Sequence, residues 1–237
     1  MIERPCDTWK MFELRLDEFF AKRPIDRDRF VFRGHADAEW SLSTTLDRYL
    51  FKHGIKNREE ARLLLLQTFI EQASALAGIP NELEEAAVPL LARHHGLAST
   101  IMDWTRSPYV AAFFAFGDEV HDSSPEPQKV AIWCLDLQEA VEPFGDNVEI
   151  VDNRRALSLI PRAFEQRSVF IDFRHPFDML ALPGNALRKF VVPASERLTT
   201  LARLEGMGLN ERSLFRTLDG AADVASWRVR AILKEKP

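Results

Sequence analysis

The residues best equipped for chemistry in this 237-residue chain lie in one run, Arg93-His94-His95-Gly96-Leu97-Ala98-Ser99-Thr100-Ile101-Met102-Asp103-Trp104-Thr105-Arg106-Ser107-Pro108. Two imidazoles close a helix at Gly96, a short apolar segment ends in Asp103-Trp104-Thr105, and Ser107-Pro108 opens a second helix. An imidazole and a carboxylate in reach of each other form an acid–base pair. Asp103 and Thr105 sit just ahead of a helix N-terminus whose partial positive charge favours anions. The spacing therefore suits a ligand pocket that could hold a phosphate.

A second candidate is Arg33, at the end of the apolar run Phe30-Val31-Phe32 and before Gly34. An arginine on an otherwise core-suited strand is either half of a structural ion pair, with an acid such as Asp103, or a planar fork that grips phosphate. Plainer roles exist for the other residues too. His94 and His95 can complement a helix dipole, Asp103 and Thr105 can cap the following turn, and Trp104 can serve as packing. Glu165 and Gln166 fall at a helix end, where surface carboxylates are common.

The elements that position these residues follow from hydrophobic period. Asp7 can cap a helix in which Trp9, Phe12, Leu16, Phe19 and Phe20 recur at helical spacing. The segment 30–33 is a strand that runs into a glycine turn at Gly34. A short helix is expected over 44–51 and a longer one over 58–77, with Leu63, Leu66, Ile70, Ala73 and Ala77 on one stripe. Residues 82–95 form another helix, kinked or delayed by Pro89. The helix after Ser107 is apolar all round, from Val110 through Phe116, and must be buried.

Farther on, 117–128 is a surface loop rich in Asp, Ser and Pro. Strands are expected over 130–135, 148–151, 168–173 and 189–192, with a helix over 153–166 between them. A helix over 195–204 ends at Gly206 or Gly208, and a further one falls within 214–227. Strands interspersed with helices, without regular alternation, imply α+β: a small mixed or antiparallel sheet core. A helical insert over about 44–95 separates Arg33 from Asp103, and a helical tail covers about 194–237. The whole of 1–237 reads as a single domain.

Composition narrows the function classes. A net charge of −5 argues against a general nucleic-acid-binding surface, and 17 Phe against 2 Tyr mark the aromatics as core material. Cys6 and Cys134, far apart, indicate neither a disulfide framework nor a metal site. The N-terminus lacks the pattern of a signal peptide and no apolar run reaches the ~20 residues of a membrane helix, so a cytoplasmic protein with no membrane partner is expected. Gly34, Gly96 and Gly220 are isolated, so no glycine-rich phosphate loop is present.

Phe32-Arg33-Gly34, the His94-His95-Gly96 turn, Asp103-Trp104-Thr105 and Ala111-Ala112-Phe113-Phe114-Ala115 closely resemble the FRG domain family. The resemblance continues in Trp40-Ser41-Leu42, Asn153-Arg154-Arg155, Gln166, Phe170, Leu214-Phe215 and Leu218-Asp219-Gly220. Two departures stand out: Ala98-Ser99-Thr100 where the family usually has Pro-Thr-Arg, and Arg167 where it usually has glycine.

More distantly, the order of motifs resembles ADP-ribosyltransferases of the Arg-Ser-Glu type. That resemblance implies NAD as the substrate, with Arg33 and Gly34 at its diphosphate and Ser99, Thr100 or Thr105 around the nicotinamide ribose. It implies Trp104 and Gln166 as further pocket residues, Glu165 as the match to the acidic residue, and no metal. Asp103, Glu149 or no residue at all are the other candidates for that charge. The acceptor, protein or nucleic acid, is left open. A nucleotide-binding module without turnover, and a metal-free hydrolase using His94 and Asp103, are the alternatives.

Overall fold

The computed structural model describes residues 1–22, 27–74, 88–117, 128–151, 161–215 and residue 229. Its seven strands form one mixed sheet: β1 (Ile2–Pro5), β2 (Phe30–His35), β3 (Ile101–Thr105), β4 (Lys129–Asp136), β5 (Val148–Val151), β6 (Ser168–Phe173) and β7 (Leu187–Pro193). The order is β1-β7-β4-β2-β3-β6-β5, antiparallel throughout except for the parallel pair β1 and β7. The described helices are α1 (Trp9–Ala21), α2 (Thr45–His53), α3 (Arg58–Ala73), α4 (Val88–His94), α5 (Pro108–Gly117), α6 (Leu137–Phe144), α7 (Pro161–Glu165), α8 (Arg197–Gly206) and α9 (Glu211–Phe215). This is the expected α+β fold.

Strict alternation builds a core on both faces of the sheet. Phe30 and Phe32 of β2, Val130, Ile132 and Cys134 of β4, and Phe190 and Val192 of β7 meet Trp9, Phe12, Leu16 and Phe20 of α1 and the apolar side of α5. On the other face Val31, Trp104, Trp133, Leu135 and Ile171 pack against Ala140 and Phe144 of α6. A third, smaller cluster joins Leu90 of α4, Ile101 of β3, Ala163 of α7 and Phe170 of β6. It covers the β3–β6 half of the sheet, where α4 and α7 replace α5.

Several elements depart from the sequence reading. The cap of α1 is Thr8, which accepts from Met11 N, and Glu196 accepts from Trp9 N; Asp7 is one residue too early to serve. The β2 strand does not turn at Gly34 but continues to His35. There α5 crosses so closely that a Cβ on Gly34 would lie 2.0 Å from the Ala111 carbonyl oxygen and 2.6 Å from Ala115 N. Glycine is required by packing between backbones, not by a turn.

The α3 helix ends at Ala73, and among the described residues of its stripe Ala73 is the buried one; Leu63 and Ile70 are 51% and 46% exposed. The sequence gives no sign of β1 or α6, and from it β3 is expected only as a short apolar segment. The expected loop at 118–127, the segment 153–160 with Asn153-Arg154-Arg155, the start of the helix at 82–87 and the tail from 216 to 228 lie outside the described residues. Among the described residues no helix is long and apolar enough to cross a membrane.

Candidate ligand-binding site

The site begins where the sheet divides. β2 pairs with β4 from Phe30 through His35, and β3 with β6 from Ile101 through Thr105. Between them β2 and β3 share one register pair, Phe32 with Thr105. Beyond it the two strands part, and a cavity of about 330 Å³ occupies the fork, within the range of small-molecule sites. One side is Phe32, Arg33 and Gly34, and the other is Asp103, Trp104 and Thr105. Helix α4 supplies Leu90, Arg93 and His94, while Phe114, Phe170 and Phe215 form an apolar wall.

Arg33 fills the gap left by the missing strand pairing. Its Nη1 donates to the Asp103 backbone carbonyl at 2.6 Å, and its Nε donates to His35 Nε2 at 3.2 Å. Both acceptors are neutral. The Asp103 carboxylate instead accepts from Arg93 Nη2 at 2.6 Å. The direct Arg33–Asp103 ion pair considered from sequence is thus replaced by a carbonyl contact, with the carboxylate turned to a second arginine. Burial lowers the Arg33 pKa to about 10, Asp103 raises it, and Arg93 and Arg48 lower it further. The group remains a cation at neutral pH.

Beneath Arg33, His35 is buried against Trp133, whose Nε1 donates to His35 Nδ1 at 3.2 Å. Burial first, and then the neighbouring Arg33 charge, lower the His35 pKa to about 3, only partly offset by a hydrogen bond with the Trp40 backbone. The imidazole is therefore neutral and has a single lone pair to offer, so it accepts either from Arg33 Nε or from Trp133 Nε1 at any one time. Nothing in the sequence singled out His35, because its partners come from β2 itself and from β4.

The cavity brings together most of the candidates read from sequence: Arg33, Gly34, His94, Asp103, Trp104, Thr105 and Gln166 all line it. Thr105 is spent on structure, donating to the Gln166 carbonyl at 2.6 Å and accepting from Ser107 N at 3.1 Å. Ser107 in turn caps α5, accepting from Val110 N at 3.3 Å. Gln166 donates from Nε2 to the Leu214 carbonyl at 3.3 Å, tying the cavity wall to α9.

Ser99, Thr100 and Glu165 do not line the cavity. Ser99 Oγ accepts from Ile101 N at 3.1 Å, and the Thr100 hydroxyl donates to the Asp172 carboxylate, so both hydroxyls fasten the start of β3. Glu165 closes α7 beside the cavity residue Gln166. Glu149 pairs with Arg174 on an exposed edge of the sheet. Asp103 is the carboxylate that lines the cavity among the described residues.

Arg93 was not among the candidates drawn from sequence. Its signal was available: Leu90, Arg93 and His94 stand at i, i+3 and i+4, one face of a helix.

The fold and the site define an α+β chain with a cationic cavity at a fork in its sheet. Residues 28–124 match the FRG domain family. The matched stretch carries Arg33, Gly34, His94, Asp103, Trp104 and Thr105; Gln166 and the aromatic wall at Phe170 and Phe215 come from beyond it. No curated protein and no solved structure matches the chain. Among the described residues no group of acidic, histidine or cysteine side chains is arranged to hold a metal ion.

Proposed function

We propose that the cavity binds NAD and that the protein transfers ADP-ribose from it to an acceptor. The observation that carries this reading is the state of Arg33: a cation lining a cavity, hydrogen-bonded among the described residues to a carbonyl and a neutral imidazole. Arg33, Arg93 and Asp103 together leave one positive charge, which attracts a diphosphate. The aromatic wall of Phe114, Phe170 and Phe215 supplies an apolar surface for a flat ring.

In the transfer, the bond between the nicotinamide nitrogen and the ribose C1′ breaks, and its electron pair leaves with nicotinamide. The ribose carbon becomes oxocarbenium-like, and a carboxylate near it lowers the barrier by electrostatic stabilisation. Asp103 takes that role in this reading, in place of Glu165. The acceptor then forms its bond to C1′ and gives up a proton, for which His94 is the cavity base. Arg33 contributes orientation by fixing the diphosphate.

Incubation with NAD and measurement of free nicotinamide test the proposal. The expected result is nicotinamide release that Arg33→Ala and Asp103→Asn each reduce at least ~100-fold, about 2.7 kcal/mol of transition-state stabilisation. Thermal stabilisation by NAD without nicotinamide release would instead make the domain a binding module.

A further inference from the structure

The Arg93–Asp103 pair is placed and built unlike a structural bridge. Arg93 uses one Nη for the carboxylate, and its Nε is buried without a hydrogen-bond partner. Half of a guanidinium fork that could bind two oxygens is left unused. The Asp103 side chain is 42% exposed and that of Arg93 20%. An ion pair this accessible contributes little to stability, so a ligand can displace it at small cost.

A second guanidinium, Arg33, already holds the other end of the same residue, its backbone carbonyl. Arg48 adds positive potential felt by Arg33, and Arg93 is the leading charge on Arg48. Two guanidinium groups thus hold opposite ends of one aspartate, and two linked phosphates could engage one each.

We propose that Arg93 is a second anion-binding residue of the cavity, and that a pyrophosphate-bearing ligand takes Arg93 away from Asp103. The inference rests on the reading of the cavity as a nucleotide site and extends it. In the free protein Arg93 masks the Asp103 carboxylate. The ligand's diphosphate bridges Arg33 and Arg93, satisfies the orphaned Nε, and leaves the carboxylate facing the rest of the ligand. Binding itself would thus unmask the negative charge that the transfer reaction uses.

The test is a double-mutant cycle read by calorimetric titration, with inorganic pyrophosphate and inorganic phosphate as probes. Wild type, Asp103→Asn, Arg93→Gln and the double variant are compared, with Arg93→Lys as a second single variant and circular dichroism to establish folding. Wild type is expected to bind pyrophosphate at least 10-fold tighter than phosphate. Asp103→Asn should tighten pyrophosphate binding about 5-fold or more by releasing Arg93, while Arg93→Gln and Arg93→Lys weaken it.

The decisive result is that the gain from Asp103→Asn disappears when Arg93 is already Gln. A gain of equal size in both backgrounds would mean simple relief of repulsion and would overturn the exchange. So would no gain from Asp103→Asn, no preference for pyrophosphate, or no binding of either probe. Nicotinamide release, measured separately, distinguishes the two proposals: coupling without release leaves the exchange standing and removes the transferase reading, and release without coupling does the reverse.

Discussion

Acidification should destabilise this fold through His35 in particular. In the folded chain the imidazole is enclosed by Trp133 and Arg33 and titrates only near pH 3, whereas an unfolded histidine titrates near 6.5. Between these values the unfolded chain binds a proton that the folded chain refuses, so stability rises with pH across that window and is fully present above it. From pH 7.5 to pH 5 the linkage amounts to roughly 1.5 units, or about 2 kcal/mol lost. Urea unfolding at both pH values, for wild type and His35→Gln, isolates the effect from every other titrating group. Glutamine can still accept from Arg33 Nε but takes up no proton. The variant should lose about 2 kcal/mol less than wild type over the same step. An equal loss in the two proteins would show that His35 does not titrate as the buried geometry requires.

Three further outcomes follow from packing. Gly34→Ala should cost at least ~1–3 kcal/mol and lower soluble yield, because the new methyl meets Ala111 and Ala115 backbone atoms of α5 and cannot be relieved by a rotamer; denaturant titration measures it. Phe113→Ala should cost roughly 3–5 kcal/mol, since Phe113 is buried against α5's neighbours, and a loss below about 1 kcal/mol would make that helix peripheral. Arg167 sits at φ 49°, where an L side chain is strained, so Arg167→Gly should raise stability by about 1 kcal/mol in a thermal melt; a drop would mean the side chain matters more than its backbone.

Arg167 holds a left-handed backbone directly after Gln166, a conformation that glycine adopts without strain. The sequence made the local signals legible. Short apolar, β-branched and aromatic runs found β2, β4, β5, β6 and β7, and helical period found α1, α2, α3 and α8 within a few residues. β1 was invisible because three of its four residues are exposed, it contains Pro5, and its parallel partner lies far along the chain. The α6 helix follows β4 directly, capped by Asp136, the last residue of that strand, so no breaker announces it.

Periodicity located α3 but not its burial, because a stripe says which residues share a face and not whether anything covers it. At the site, residue types near glycines and caps led to Arg33, His94 and Asp103. The partners of those residues did not follow, since the His35 and Arg93 contacts depend on which strands pair and where β2 and β3 separate. Gly34 shows the same limit: a glycine in an apolar run has a local explanation as a turn and a non-local one as a helix crossing, and only the packing chooses.

The central claim is that Arg33 is a phosphate grip and not a structural cation, and NAD titrations with thermal melts of wild type, Arg33→Lys and Arg33→Ala test it most directly. Lysine keeps the charge but loses the planar fork. The account predicts that NAD stabilises wild type, that Arg33→Lys melts close to wild type without ligand, and that it binds NAD at least ~10-fold more weakly, about 1.4 kcal/mol, with Arg33→Ala weaker still. A wild type that NAD never stabilises, together with variants that melt far earlier in its absence, would leave Arg33 a structural residue and contradict the account.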